Sequence, residues 1–358
     1  MKGLKIGLVA FVLLLTSVGA FSRILPDSLQ EDVQSFISHL SVDSPSSYGN
    51  LRVFTVEYRG KKPDQSPVTT DEALRKGWLV VTEAAKESVP TLDVQNQSSS
   101  WIFMMSGEVL LGGKQDRMLR DDTLLPPHSG RIRVAVFCVE QGRWALRSSE
   151  FKSKAMVSNP EVRQMARESQ DQSAVWGKVA KMKEENSVSS GSGTLADVYE
   201  DKGVESRTRK YMDGLARVPS VRRNATGVVV TLGDRILGAD LFSDRVLFAE
   251  LWTKLLRSYA LEAGTSRDSW GSIDVNDVER FLKRALRAGV SRQNTPGEGR
   301  LFSIRSGEVT GGGLVYEGEM VHVDLFPATG LRYEKGDRDR NPERMAPPHI
   351  RQQQNMPN

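Results

Sequence analysis

The run GEVLLGGKQDR at residues 107–117, followed by VAVFCVEQGRW at 134–144, decides how the first half of this chain is built. Both runs are apolar enough to be buried strands, yet Glu108, Lys114, Gln115, Asp116, Arg117, Glu140 and Arg143 crowd their ends. Strands normally place charge on the watered face, and a charge taken out of water has to be paired or neutralised. The pattern is that of a polar island on a rigid sheet. Two functions satisfy it: a site whose basic groups face a ligand in an open pocket, or a structural network closed by its own pairs.

Working outward, alternating apolar runs predict further strands at 51–58, 78–82, 91–94, 101–105, 109–111 and 132–140, with a short helix over 70–74 capped by Thr70. Upstream, Val33, Phe36, Ile37 and Leu40 recur at helical spacing, which predicts a helix over 27–40 and then a Ser, Pro and Gly-rich joint. Beyond residue 155 the character changes. A helix is expected over 159–185 with Val175, Trp176, Val179 and Met182 on one stripe, then the loop ENSVSSGSGT at 185–194 and more helix over 195–215. The segments 228–232 and 235–241 read as a hairpin, Ser243 caps an amphipathic helix through 261, another helix spans 274–288, and closing strands lie at 301–304 and 314–325.

These elements predict an α+β fold of mainly antiparallel sheets in two joined lobes with amphipathic helices packed on them. The division expected is a signal peptide at 1–20, a helix and linker at 21–50, one domain at 51–330, and a charged, Gln-rich, disordered tail at 331–358. Within the domain, a β-rich lobe covers about 51–155 and a helical and β lobe about 156–330. One regularity cuts across that boundary. A Gly-acid pair with a second Gly five positions after the first occurs at Gly107-Glu108, Gly233-Asp234 and Gly307-Glu308, either as three versions of one hairpin or as independent reuse of a common turn.

The amino terminus points to export. Lys2 and Lys5 precede an apolar run over 6–15, and the small residues ending at Ala20 fit signal-peptidase cleavage. The run is shorter than the ~20 residues of a spanning helix. The formal charge of +4 falls to +2 once Lys2 and Lys5 leave, too weak a bias for a nucleic-acid binder. A single cysteine cannot form an intrachain disulfide, so the core must hold the chain by itself. Cys138 sits in VAVFCVE, apolar on both sides, and reads as a packed residue rather than a nucleophile. The segment 107–115 lacks the Gly-Lys-Ser/Thr opening a helix that a phosphate loop requires. The four histidines show no zinc-like spacing; only His322 and Asp324 share a strand face, where they read as a surface pair. No metal site is expected, and no cofactor is assigned.

GEVLLGGKQDR, CVEQGRW, DQSAVW at 171–176, LGADLF at 237–242 and KLLRSYALEA at 254–263, in this order, resemble the ARG and Rhodanese-Phosphatase-superfamily-associated protein domain, ARG denoting ADP-ribosylglycohydrolase. The resemblance carries no established activity. The name implies association with enzymes of ADP-ribosylated or NAD-derived molecules. It places the family's polar positions on Glu108, Lys114, Gln115, Arg117, Glu140, Arg143, Gln172, Asp240 and Arg257, with Asp116 where Asn is expected.

The function expected is therefore that of an exported domain for an anionic, nucleotide-like ligand such as ADP-ribose. Lys114, Arg117 and Arg143 would hold the anion, with Gln115, Gln172, Asp240 and Arg257 as further ligand-binding positions, and Glu108 or Glu140 would act on a hydroxyl or a water. The alternative is a non-catalytic envelope or protein-interaction domain with a buried structural network. No nucleic-acid partner, and no membrane after cleavage, is expected; a protein partner is left open.

Overall fold

The computed structural model describes residues 29–84, 90–143, 145–189, 191–265 and 273–328. The expected signal segment, the tail over 331–358 and Trp144 lie outside the described residues. The fold is α+β, with sheets that are antiparallel in all but one strand pair.

The largest sheet grows from the hairpin Gly227–Leu232 and Arg235–Leu241. On one side of it lie Leu51–Tyr58 and Leu40–Val42; on the other lie Glu319–Pro327, Val309–Tyr316, Arg300–Arg305 and Gly289–Arg292, with Ser46–Tyr48 added against Leu51–Tyr58. The run Val228-Val229-Val230 is buried because both faces are covered. Val228, Val230 and Leu232 join Leu247, Leu251, Leu255 and Tyr259 of the long helix Arg245–Thr265. Val229, Ala239 and Leu241 join Val33 and Phe36 of helix Leu29–Ser38 and Val278 and Phe281 of helix Val275–Leu286. Alternation along the strand sends successive side chains to opposite faces, so one segment feeds two cores.

A second sheet of six strands runs Lys152–Val157, Glu108–Leu111, Arg117–Leu119, Ile132–Cys138, Thr91–Asn96, Leu79–Glu83. Helices Pro160–Ser169, Gln172–Glu185 and Ala196–Glu200 share a core with it through Val162, Val175, Val179 and Val198, against Val109, Met118 and Phe137. Three short strands, Thr123–Leu125, Ile102–Met104 and Val68–Thr69, make a third sheet beside it. Sheet membership crosses the boundary near residue 155: Leu51–Tyr58 pairs with Gly227–Leu232 across about half the chain.

Several expected elements are divided by polar caps. The helix over 159–185 is two helices, because Gln170 turns left-handed at φ 51° and the Asp171 carboxylate accepts from the Ser173 amide, starting a new helix. The helix over 195–215 breaks likewise at Asp201, which accepts from the Val204 amide. The strand over 314–325 folds back at Glu317 and Gly318, both at positive φ. Ser243 is not the cap of the long helix: its hydroxyl bonds the Met320 carbonyl, and Asp244 accepts from the Val246 amide at 2.7 Å. Of the three Gly-acid motifs, those at Gly233 and Gly307 turn hairpins of the large sheet, whereas Gly107 joins a strand of the third sheet to one of the second.

Candidate functional site

The polar island forms around the loop between Glu108–Leu111 and Arg117–Leu119. Gly112 and Gly113 take positive φ there, and the Gly112 amide donates to Asp116 Oδ1 at 3.1 Å. The Asp116 amide in turn donates to Glu140 Oε2 at 2.9 Å. Arg143 closes the arrangement as a fork: Nε donates to Glu140 Oε1 at 2.9 Å and Nη2 to Oε2 at 2.6 Å, the bidentate geometry that makes such pairs strong. Its Nη1 donates to the carbonyls of Gly113 and Ala145 at 2.8 and 2.7 Å, and Nη2 also reaches the Gly112 carbonyl at 3.2 Å. Burial alone would raise the Glu140 carboxyl, but the hydrogen bonds and charge of Arg143 outweigh it and hold Glu140 ionised. Asp116 moves the other way, raised by burial and by Glu140 despite the hydroxyl of Thr194, which donates to its Oδ2 at 2.7 Å.

Gln115 lies behind this clamp. Its amide nitrogen donates to the Glu140 carbonyl at 2.8 Å, and its oxygen accepts from Arg117 Nη1 at 3.0 Å. Arg117 is 1% exposed, with Glu83 at 3.8 Å from its other terminal nitrogen. The Lys114 amide also donates to Glu83, at 2.9 Å. Gln172, the first residue of its helix, accepts from the Cys138 amide and donates to the Cys138 carbonyl, both at 2.8 Å, and so pairs with the strand as a neighbouring strand would. Cys138 is buried, its thiol donates to the Glu140 carbonyl at 3.1 Å, and burial raises its pKa. That is the packed cysteine expected from the sequence.

Three expected members lie elsewhere. Glu108 points away from the island, to the ammonium of Lys254 on the long helix and the hydroxyl of Thr70. Lys254 also reaches Asp71 at 2.7 Å, and although burial alone would lower its pKa, these two carboxylates raise it. The strand direction explains the departure: Glu108 opens the strand Glu108–Leu111, and Gly112 follows its far end. Arg257 donates to the Tyr199 carbonyl and covers its ring at 5.0 Å.

Asp240 belongs to a second network, which the sequence reading did not find. Its carboxylate takes a fork from Arg163, with Nη1 at 3.0 Å, and accepts from the Tyr259 hydroxyl at 2.7 Å. His322 is buried, contrary to the surface pair expected, and lies between Asp122 at 2.9 Å from Nδ1 and Asp240 at 3.1 Å from Nε2. Burial opposes its protonation, but the two carboxylates prevail and raise its pKa to about 9. An imidazolium donating from both nitrogens has no lone pair left for a metal or for proton abstraction. Arg167 reaches Asp324 at 3.0 Å, Ser106 donates to Asp324 at 3.2 Å, and the Ser106 amide donates to Asp122 at 2.8 Å.

Two glycines let helix Pro160–Ser169 bring these arginines in. A Cβ on Gly107, at φ 85°, would stand 2.9 Å from Arg163 Cγ, and one on Gly312 would stand 2.7 Å from the Phe302 carbonyl and 3.0 Å from Arg167 Nη1.

From residue 39 to 326 the chain matches the family model described as ARPP-1, the ARG and Rhodanese-Phosphatase-superfamily-associated Protein domain. The chain belongs to this family. The matched span contains both networks and, but for Pro327, all three sheets, and it leaves out helix Leu29–Ser38. No curated protein and no solved structure matches the chain. Among the described residues, no three His, Cys, Asp or Glu side chains are placed to hold a metal ion, and no helix is long and apolar enough to cross a membrane.

Proposed function

We propose that this family member is an exported, non-catalytic interaction domain whose polar island is a structural network. The observation that carries the reading is the saturation of Arg143: its guanidinium is spent on Glu140 and on the carbonyls of Gly112, Gly113 and Ala145. A basic group kept for a phosphate would instead face an open pocket. Among the buried donors of the island, Nε of Arg117 lacks a partner, and it lies on a side chain 1% exposed, where an anion would have to enter the core to reach it; the exposed Arg147 is already drawn to Asp116 at 3.6 Å and Glu140 at 3.8 Å. Binding of ADP-ribose or another anion here requires that the Arg143 fork be broken first. Export rests on Lys2, Lys5, the apolar run over 6–15 and the small residues before Phe21.

Denaturant unfolding of three variants tests this. Arg143→Ala strands the buried Glu140 carboxylate and is expected to cost roughly 3 to 5 kcal/mol, with the double variant Arg143→Met/Glu140→Leu recovering most of it. Lys114→Ala, at a partly exposed position, is expected to change stability by less than about 0.5 kcal/mol. Wild-type stability in Arg143→Ala, together with a thermal shift of the unaltered chain by ADP-ribose, would overturn the structural reading in favour of the anion site.

A further inference from the structure

Helix Pro160–Ser169, which carries Arg163 and Arg167 into the second network, is entered through Asn159. In that position an Asn ordinarily turns its side-chain oxygen to the amides of the first turn. Here it makes no such bond. The Asn159 side-chain nitrogen donates instead to Oε1 of Glu262, at the end of the long helix, and its Oδ1 is buried without a hydrogen-bond partner. An acceptor left unmatched in the interior costs free energy that a neighbouring donor would return.

The carboxyl beside it can be that donor. A carboxylate only accepts, whereas a protonated carboxyl also offers one O–H. The surroundings favour the proton. Burial raises the Glu262 carboxyl to about 7, and Glu161 and Glu185 add to this against the Asn159 bond and the charge of Arg235. The carbonyls left free at a helix end disfavour negative charge there as well. At the start of Pro160–Ser169 burial would raise Glu161 too, but Lys181 and Lys178 bond its carboxylate and hold it ionised. The other cations nearby are engaged elsewhere: Arg257 with the Tyr199 carbonyl and Arg207 with the Asn186 carbonyl. Tyr199 gives its hydroxyl to the Val157 carbonyl.

We propose that Glu262 keeps a proton in the folded chain and donates it to Asn159 Oδ1, closing a ring of two hydrogen bonds that pins helix Pro160–Ser169 to the end of the long helix. Loss of the proton leaves Oδ1 unmatched again and reduces the pin to one bond. The device stands apart from the polar island and acts on the helix that feeds the second network. Because the folded-state pKa lies above the ordinary 4.5, the pin's stabilisation is fully present below 4.5 and is lost as pH rises through about 7.

The test is carbon-detected titration of the side-chain carboxyls of the full chain, with urea unfolding of the unaltered chain and of Glu262→Gln at pH 5 and pH 8. The Glu262 carboxyl is expected to titrate near 7, and the Asn159 side-chain amide to shift with the same midpoint. Glu262→Gln keeps an oxygen for Asn159 Nδ2 and presents an amide donor to Oδ1 at every pH. It should match the unaltered chain at pH 5 and exceed it at pH 8 by on the order of a hundredfold in the unfolding equilibrium. The difference at each pH cancels the contribution of His322. Amides in the first turn of Pro160–Ser169 should exchange faster at pH 8 than at pH 5 relative to Glu262→Gln. An ordinary carboxylate midpoint for Glu262, or a Glu262→Gln variant less stable than the unaltered chain at pH 8, would overturn the proposal. If Glu262→Gln fails to fold, the titration of the unaltered chain decides: an Asn159 amide that does not follow the Glu262 midpoint overturns the pin.

Discussion

The two buried networks differ in where their members come from. The island around Glu140 and Arg143 is drawn chiefly from residues 112–147, is joined from afar by Thr194, and reaches solvent through Arg147, whose side chain is 52% exposed. The network around Asp240 and His322 gathers Ser106, Asp122, Arg163, Asp324 and Tyr259, and its Arg163, Asp240, His322 and Asp324 side chains are at most 1% exposed. One fixes the shape of a loop within a sheet. The other fixes how helix Pro160–Ser169, the large sheet and the loops at Ser106 and Asp122 sit together, because its ion pairs, apart from His322–Asp240 within the large sheet, link different parts.

That contrast predicts different consequences of breaking each. Arg163→Ala removes the fork on Asp240 and leaves a carboxylate in the core; the expected loss is roughly 3 to 5 kcal/mol. Because helix Pro160–Ser169 shares a core with the second sheet and is tied here to the large one, hydrogen exchange should rise in both Glu319–Pro327 and the second sheet. In Arg143→Ala the rise should stay near residues 112–147. Equal spread in the two variants would mean that the two networks play the same part in the fold.

The pH response separates the networks further. With a folded-state pKa of about 9 against an ordinary 6.5, His322 contributes stability that is fully present below the lower value and is lost as pH rises through the upper one. The expected decline between pH 6.5 and 9 is up to about 3 kcal/mol, seen as a falling urea midpoint that His322→Gln abolishes. In the acid limb the lowered Asp240 and Asp324 act in the opposite sense, their stabilisation being lost as pH falls through their folded values. A flat profile between pH 6.5 and 9 in the unaltered chain would mean that His322 is neutral when folded.

The smallest of these effects concerns a single methyl group. In Gly312→Ala the new Cβ would meet the Phe302 carbonyl at 2.7 Å and Arg167 at 3.0 Å, so overpacking of about 1 to 3 kcal/mol is expected. The loss should shrink in an Arg167→Ala background, where the guanidinium no longer needs the space. An undiminished loss there would place the strain on the Phe302 backbone alone.

Much of the fold was legible because it is written in short-range patterns. The hairpin Gly227–Leu232 and Arg235–Leu241 shows as apolar runs around Gly233, and the long helix as apolar positions three and four apart from Leu247 to Tyr259. The divided helices were harder to see, since Asp171 and Asp201 continue a helical pattern in sequence but cap a new helix once their carboxylates find the amides of Ser173 and Val204. The polar island was visible as a crowd of charges beside apolar strands. Its pairing was not: Glu108 belongs to the same run yet turns to Lys254, 146 residues away.

By itself, the sequence determined the α+β class, the packed state of Cys138, the family to which the chain belongs and the presence of buried charge near Glu140. Only the tertiary structure decided which charges are matched. His322 and Asp324 look like a surface pair along their strand, and become the centre of a buried network because Arg163, Arg167 and Asp122 are carried to them by other elements. The physical reason is that periodicity reports which face of a segment is apolar, a property of neighbours a few residues apart. The cost of a buried charge depends on the partners that folding brings within hydrogen-bond reach, and those partners leave no mark on the local pattern.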